Sequence, residues 1–242
     1  MRSRPCRNRG GSRTRPEYPH RWPGRKDLAS VTIAQRAPGG GQSAHNAAMD
    51  SAAQWSFPTV MPRLEAQRVY LRALTPADSD DLYAVFSDPR AMRYWSSPPM
   101  TDPAQASGYI EQILAWFAGR GGMQWGIASP GDDRVIGTVT LFLFSPEHRR
   151  CEVGFILSPD RWGRGLASEA VSRALAWTFD TLGMERVEAD VDPRNEPSQR
   201  LLERLGFQHE GLMRERWRVA GETQDGLVMG LLRREFTPFA AA

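Results

Sequence analysis

From residue 69 onward the chain runs through successive stretches of strand-like and helical spacing. Val69 to Ala73 alternates apolar and polar positions at the two-residue period of a strand. Thr75-Pro76-Ala77-Asp78 then supplies an N-cap residue, a proline at the first helical position and an early acid, so a helix is predicted from there to about Phe86. Ser87-Asp88-Pro89 ends it. A second helix is predicted from Thr101-Asp102-Pro103, because Tyr109, Ile110, Ile113, Leu114 and Phe117 recur at three- and four-residue steps. The glycines between Gly119 and Gly122 stop it. Trp125 to Ala128 and Val135 to Phe144 read as the strands of a hairpin, joined by Pro130-Gly131-Asp132-Asp133, whose residues supply preset and positive backbone angles.

Cys151 to Leu157 is an apolar run of strand length, and a helix over Leu166 to Leu182 separates it from an alternating strand at Arg186 to Val191. In that helix Ala167, Val171, Leu175 and Leu182 lie along one side, Leu166, Ala170, Ala174 and Trp177 along another, and Gly183 supplies the stop. A strand-helix-strand crossover of this kind places its two strands parallel. Asn195-Glu196-Pro197-Ser198 opens a short capped helix that ends at Leu205-Gly206-Phe207. Phe207 to Arg218 and Gly226 to Arg233 form an antiparallel pair about Ala220-Gly221. The predicted fold class is mixed α/β.

Composition changes this picture at the N terminus. Residues 1–60 hold ten basic and three acidic residues, a net of +7, among scattered Gly, Pro and Ser, so of the chain's +3 the remainder carries −4. The basic balance belongs to the leader, and the folded part, expected over 61–242, is mildly acidic. Direct nucleic-acid binding by the fold is not expected. The leader reads as a basic arm attracted to RNA or membrane, a transit peptide, a real disordered tail, or upstream sequence ahead of a true start at Met49 or Met61. No apolar run approaches the roughly 20 residues that span a bilayer, so no membrane partner is expected. Cys6 and Cys151 make no disulfide framework, and the four histidines show no ligand spacing, so no metal is expected and a reducing, cytoplasmic setting fits.

The candidate chemistry lies in Trp162-Gly163-Arg164-Gly165-Leu166-Ala167, where strand turns into helix. Unpaired N–H groups at a helix start carry the positive end of the helix dipole and bind a diphosphate if no side chain blocks approach. Gly163, Gly165 and Ala167 leave it open. A tight turn also needs glycine on steric grounds alone, so the motif by itself does not decide between the two. A dinucleotide-binding turn sits near the start of a sheet and needs a small third position, here Ser168; a P-loop needs Lys where Leu166 stands.

The ordered set of Ser87-Asp88-Pro89-Arg90-Ala91-Met92-Arg93-Tyr94, Glu152-Val153-Gly154-Phe155, Trp162 to Ala170, Asn195-Glu196-Pro197-Ser198 and Leu205-Gly206-Phe207 resembles the Gcn5-related N-acetyltransferase (GNAT) superfamily over nearly all of residues 61–242. Within it, the resemblance is to the branch that acetylates ribosomal-protein N-termini (RimJ/RimL-like). It implies a central, mostly antiparallel sheet flanked by helices, with Cys151–Leu157 and Arg186–Val191 as a splayed parallel strand pair. It also implies acetyl-CoA as donor, its diphosphate on the turn from Arg161 through Trp162, Gly163, Arg164, Gly165 and Leu166 to Ala167. The pantetheine arm lies between the splayed strands, whose unpaired backbone groups take it as they would an added strand. Asn195 contacts the arm. Two positions depart from the family: Trp162 stands where Gln or Arg is frequent, and Leu202 where many relatives carry a proton-donating tyrosine.

Acetyl transfer to an amine needs that amine uncharged, the carbonyl polarised and a proton for the leaving thiolate. Backbone N–H groups near Phe155, Ile156 and Leu157 are the candidates for polarising the carbonyl. Glu152 is the candidate base, with Glu188, Asp190 and Glu215 in reserve, and Ser198 is the candidate donor to the thiolate. Each also has a plain reading: Glu152 paired with Arg149 or Arg150, Ser198 as a first-turn serine, Asn195 as an N-cap, Cys151 as a buried filler. The expected acceptor is a primary amine, foremost a protein or peptide α-amine such as a ribosomal-protein N-terminus, with a small-molecule amine as the alternative, in a monomer or homodimer. Two readings from other classes are a non-catalytic acyl-CoA sensor and a ribosome-associated protein using its arginine leader.

Overall fold

The computed structural model describes residues 55–240, and the expected basic leader falls, up to residue 54, outside them. Eight strands form one sheet: β1 (Leu64–Glu65), β2 (Tyr70–Ala73), β3 (Gly122–Ala128), β4 (Val135–Ser145), β5 (Arg150–Leu157), β6 (Arg186–Val191), β7 (Gln208–Val219) and β8 (Glu222–Leu232). Their spatial order is β1-β2-β3-β4-β5-β6-β8-β7, antiparallel throughout except for β5 beside β6. Four helices pack on it: α1 (Ser79–Phe86), α2 (Pro103–Ala118), α3 (Leu166–Asp180) and α4 (Glu196–Arg204). None of the described helices is long and apolar enough to cross a membrane.

Strand register sorts the side chains onto two faces, because cross-strand partners point the same way. Cys151 and Val153 share a face with Leu141, Met123, Trp125 and the apolar side of α3, in the larger core cluster. Glu152, Gly154 and Ile156 share the other with Phe142, Thr140, Thr138 and Gln124, where α2 lies: Tyr109 donates its hydroxyl to Gln124 Oε1 at 3.1 Å. The alternation expected for β5 therefore points Cys151 into the α3 core and Glu152 away from it.

Three boundaries differ from the pattern, each for a packing reason. β3 begins at Gly122 rather than Trp125, because Gly121 and Gly122 lie under the Trp116 indole; a Cβ at either would stand 2.2–2.3 Å from that ring. Those glycines make room for a side chain rather than only ending a helix. β8 starts at Glu222, so Gly226 lies within a strand, where a Cβ would sit 2.5 Å from Asp190 Oδ1. The packed chain also begins before Met61: Phe57 is 4% exposed in the larger core, its ring 5.4 Å from Phe117 and 5.6 Å from Phe144.

The expected helix start at Thr75 becomes a short 3-10 turn, Pro76–Asp78, leading into α1. Its acid is the anchor. Asp78 accepts from the Thr75 N–H at 2.7 Å and from Arg72 through Nη1 at 2.9 Å and Nη2 at 2.7 Å. Burial works against its ionisation, but the Arg72 and Thr75 hydrogen bonds outweigh that and hold its pKa below the ordinary 3.8. The unfolded chain thus binds more protons between the two values, and this stabilisation is complete above the unfolded pKa and lost as pH falls through the folded one. Asp78→Asn is expected to cost about 2 kcal/mol at pH 7 and to flatten the loss of stability below pH 4, read by denaturant melts across pH.

Candidate active site

The parallel ladder between β5 and β6 has three rungs, Arg150↔Arg186, Cys151↔Val187 and Glu152↔Glu188. Beyond them β5 stays with β4 as far as Gly137↔Leu157, and β6 stays with β8 as far as Val191↔Leu227. The facing edges of Val153–Leu157 and Ala189–Val191 are left unladdered. Gly137 permits the divergence: a Cβ there would stand 2.3 Å from the Ile156 carbonyl oxygen, so only glycine lets the end of β5 lean this closely on β4. An extended, amide-rich ligand can take up the unpaired backbone groups in such a gap.

Past β5, a 3-10 turn at Pro159–Arg161 leads through Gly163 and Gly165, with φ of 73° and 74°, into α3. Gly165 is its N-cap residue, so Leu166, Ala167 and Ser168 carry first-turn N–H groups with no partner within the helix. Arg68, just before β2, braces this turn. It donates from Nη1 to the Arg164 carbonyl oxygen at 2.9 Å and binds Glu169 through its backbone N–H at 2.5 Å and Nε at 2.9 Å. Trp162 donates its indole N–H to the Leu157 carbonyl oxygen at 2.9 Å, so the departure from Gln or Arg at this position ties the turn to the end of β5.

Two cavities meet at Tyr94 and Trp95, one with arginines and the other with carboxylates in its lining. The larger, about 1060 Å³, is lined by Phe155, Ile156, Leu157, Arg161, Trp162, Gly163, Gly165, Leu166, Ala167, Asn195 and Ser198, all named from the sequence. Arg164 is the exception: it is exposed, absent from this lining, and its carbonyl is turned to Arg68. Arg90, Arg93, Arg161, Arg200 and Arg204 line the cavity, and among the described residues no carboxylate does. Asn195 accepts from the Ser198 N–H at 3.3 Å, so it caps α4 while lining the cavity. Size, basic wall, glycine turn and open strand edges together fit a coenzyme A thioester.

The smaller cavity, about 120 Å³, holds Glu152, Asp190 and Asp192 with the rings of Tyr94, Trp95, Phe142 and Trp217. No arginine or lysine lines it among the described residues. Glu152 is 8% exposed, and Gly154 beside it leaves room, since a Cβ there would meet only Phe142, at 3.5 Å. Asp190 accepts from Arg216 Nε and Trp217 Nε1, both at 3.1 Å, which fixes the Trp217 ring. Burial opposes ionisation of Asp192, but bonds from the Arg194 guanidinium and N–H outweigh it and hold its pKa below the usual range. Of the reserve acids, Glu188 is bound by Arg150 and Arg186, and Glu215 lies at an exposed irregularity of β7. The Cys151 thiol is 1% exposed on the α3 face, and burial, with Glu152 and Glu188 nearby, pushes its pKa up, so it does not serve as a nucleophile.

Arg200, Arg204 and Phe239 also line the larger cavity and Arg68 braces its turn, though the sequence pattern does not single them out. The four-residue spacing of Arg200 and Arg204 on one face of α4 was the available signal; Arg204 donates to Ser168 Oγ at 3.3 Å.

Residues 68–208 match the family model described as "Acetyltransferase (GNAT) domain". The chain is similar to the uncharacterized N-acetyltransferase p20 of Bacillus licheniformis, with 36% identity over 73% of this chain and 99% of that protein. It is 25% identical to spermidine N(1)-acetyltransferase of Escherichia coli, over 71% of this chain and 89% of that one. The ribosomal-protein-S5-alanine acetyltransferase structure from Vibrio fischeri shares the fold, at a TM-score of 0.62 and 21% identity, over 73% of this chain and all of that one. The chain belongs to the GNAT acetyltransferase family. It is an N-acetyltransferase, and its donor is acetyl-CoA.

Gly163 tests the turn. A Cβ there meets nothing within 4 Å, but its positive φ strains any other residue. Gly163→Ala and the remote Gly183→Ala, at φ 66°, are each expected to lose about 1 kcal/mol of stability. Only Gly163→Ala is expected to weaken coenzyme A binding, measured by calorimetry.

Proposed function

We propose that the chain acetylates the α-amine of a protein or peptide N-terminus, with the donor in the basic cavity and the amine entering through the acidic one. The arginine lining of one cavity and the carboxylate lining of the other, joined at Tyr94 and Trp95, carry this reading, because they suit a polyanionic donor on one side and a cationic amine on the other. Glu152 takes the proton from the ammonium, directly or through water, and the freed amine attacks the thioester carbonyl. Backbone N–H groups of Phe155 and Leu157 polarise that carbonyl; the Ile156 N–H, expected to share in this, is turned to β4, in step with the Ser158 N–H that donates to the Ile136 carbonyl oxygen at 2.8 Å. As the carbon–sulfur bond breaks, the nitrogen gives up its second proton to water and Ser198 protonates the thiolate, regaining its own proton from water, in place of the tyrosine that Leu202 replaces; Leu202 is buried and cannot donate. The route needs no covalent enzyme intermediate, which agrees with the buried thiol of Cys151.

Asp190 and Asp192 beside Glu152 favour a second reading, a short polyamine, as the name of the spermidine acetyltransferase relative also suggests. The cytoplasm is the proposed setting.

Incubation with acetyl-CoA separates the acceptors. Peptides with a free α-amine are expected to gain one acetyl group at that amine by mass spectrometry, and the same peptides blocked there are not. Acetylation of spermidine but of no peptide would establish the second reading instead. Glu152→Gln is expected to lower kcat by about 10²- to 10⁴-fold while leaving coenzyme A affinity unchanged. Equal kcat in the two proteins would remove Glu152 from the base role.

A further inference from the structure

We infer that the C-terminal arm, residues 233–240, is a coenzyme-binding element whose Phe239 ring forms a wall for the adenosine end of the donor. The inference rests on the donor site proposed above. The path of the arm is fixed at four points. After β8, the Glu235 carbonyl oxygen passes Gly206, where a Cβ would stand 2.4 Å from it, and Gly206 has φ of 97°. Glycine in the Leu205-Gly206-Phe207 motif thus serves this close passage as well as ending α4. The Phe236 ring lies 5.4 Å from that of Phe179, and the Thr237 N–H donates to the Leu205 carbonyl oxygen at 3.3 Å. The Phe239 N–H then donates to Ser172 Oγ at 2.8 Å, on α3.

That anchor delivers the ring to the glycine turn. A Cβ at Gly165 would stand 3.2 Å from Phe239 Cζ and 3.3 Å from Arg68 Nη2, so Gly165 is held between an arginine from the start of the domain and an aromatic ring from its end. Phe239 lines the basic cavity with Gly163, Gly165, Ser168 and Arg204. This is the part of the cavity built from the α3 start, away from Glu152, so the ring faces the nucleotide half of the donor rather than its acetyl end. A flat apolar ring beside basic side chains suits a purine joined to phosphates, since aromatic side chains stack on any base and arginines take the charge.

Calorimetry on the full chain tests this with coenzyme A and with adenosine 3′,5′-bisphosphate, which lacks the pantetheine arm. Phe239→Leu keeps an apolar filler against the core while removing the flat ring, and Phe239→Trp restores one. Phe239→Leu is expected to weaken both ligands about tenfold, and Phe239→Trp to recover most of that. Binding of S-acetylpantetheine, which has no nucleotide, read by the same calorimetry, is expected to be the same in all three proteins. Unchanged affinity in Phe239→Leu, or an equal loss with S-acetylpantetheine, would overturn the inference. Coenzyme A binding by the wild type is read without any acceptor, so a wrong acceptor assignment leaves this test intact, and a wild type that fails to bind coenzyme A rejects the donor site itself.

Discussion

The ladder that stops at Glu152↔Glu188 is the constraint on which the rest of the site depends. A fully laddered β5 and β6 would bury their backbone groups in each other and leave no place for an extended ligand. Three rungs hold the strands together at one end, while β4 and β8 carry them apart at the other. The connection between them runs through the glycine turn and α3, so opening the strands sets a helix start at the mouth of the gap. One departure from sheet regularity thus sets unpaired backbone groups and a free helix start side by side, the two features on which the proposed donor site rests.

Electrostatics then divides the opened sheet. Glu152 and Asp190 project from the face of α1 and α2, and Asp192 continues the same alternation along the chain. The arginines come from other elements: the segment after α1, the turn before α3, and α4. The two sets do not mix within either cavity, and Tyr94 marks their border, with the Arg93 and Arg194 guanidinium groups 5.1 and 5.9 Å from its ring centre. The glycine turn is braced from both ends of the domain, by Arg68 and by Phe239, so its geometry depends on contacts far apart in sequence.

Much of this could be read from periodicity. The two-residue alternation over Arg186–Val191 and the apolar spacing of α3 gave those elements, and the crossover between β5 and β6 gave their parallel sense. Gly163, Gly165 and Asn195 were legible because helix starts restrict backbone and capping chemistry in ways that few residue types satisfy. Gly226 lies inside β8 rather than at its start, and Gly121 and Gly122 make room for Trp116 besides separating α2 from β3, because sequence shows a missing side chain but not whose side chain fills the space. Arg68 and Phe239 were illegible for a related reason: each acts through a contact of long sequence separation, and neither carries a local pattern. Arg164 differs from its neighbours, since its place inside the motif suggests a ligand role, while its carbonyl is bound by Arg68 and its exposed side chain is not in the cavity lining.

Amide hydrogen exchange with and without coenzyme A tests the central claim most directly, because it reads the backbone groups that the divergence leaves unpaired. The account predicts new protection at Val153, Phe155 and Leu157, the β5 amides turned away from β4, and at Gly163–Ser168, with the β7–β8 hairpin unchanged. Saturating coenzyme A that leaves both segments exchanging as in the free protein would contradict it.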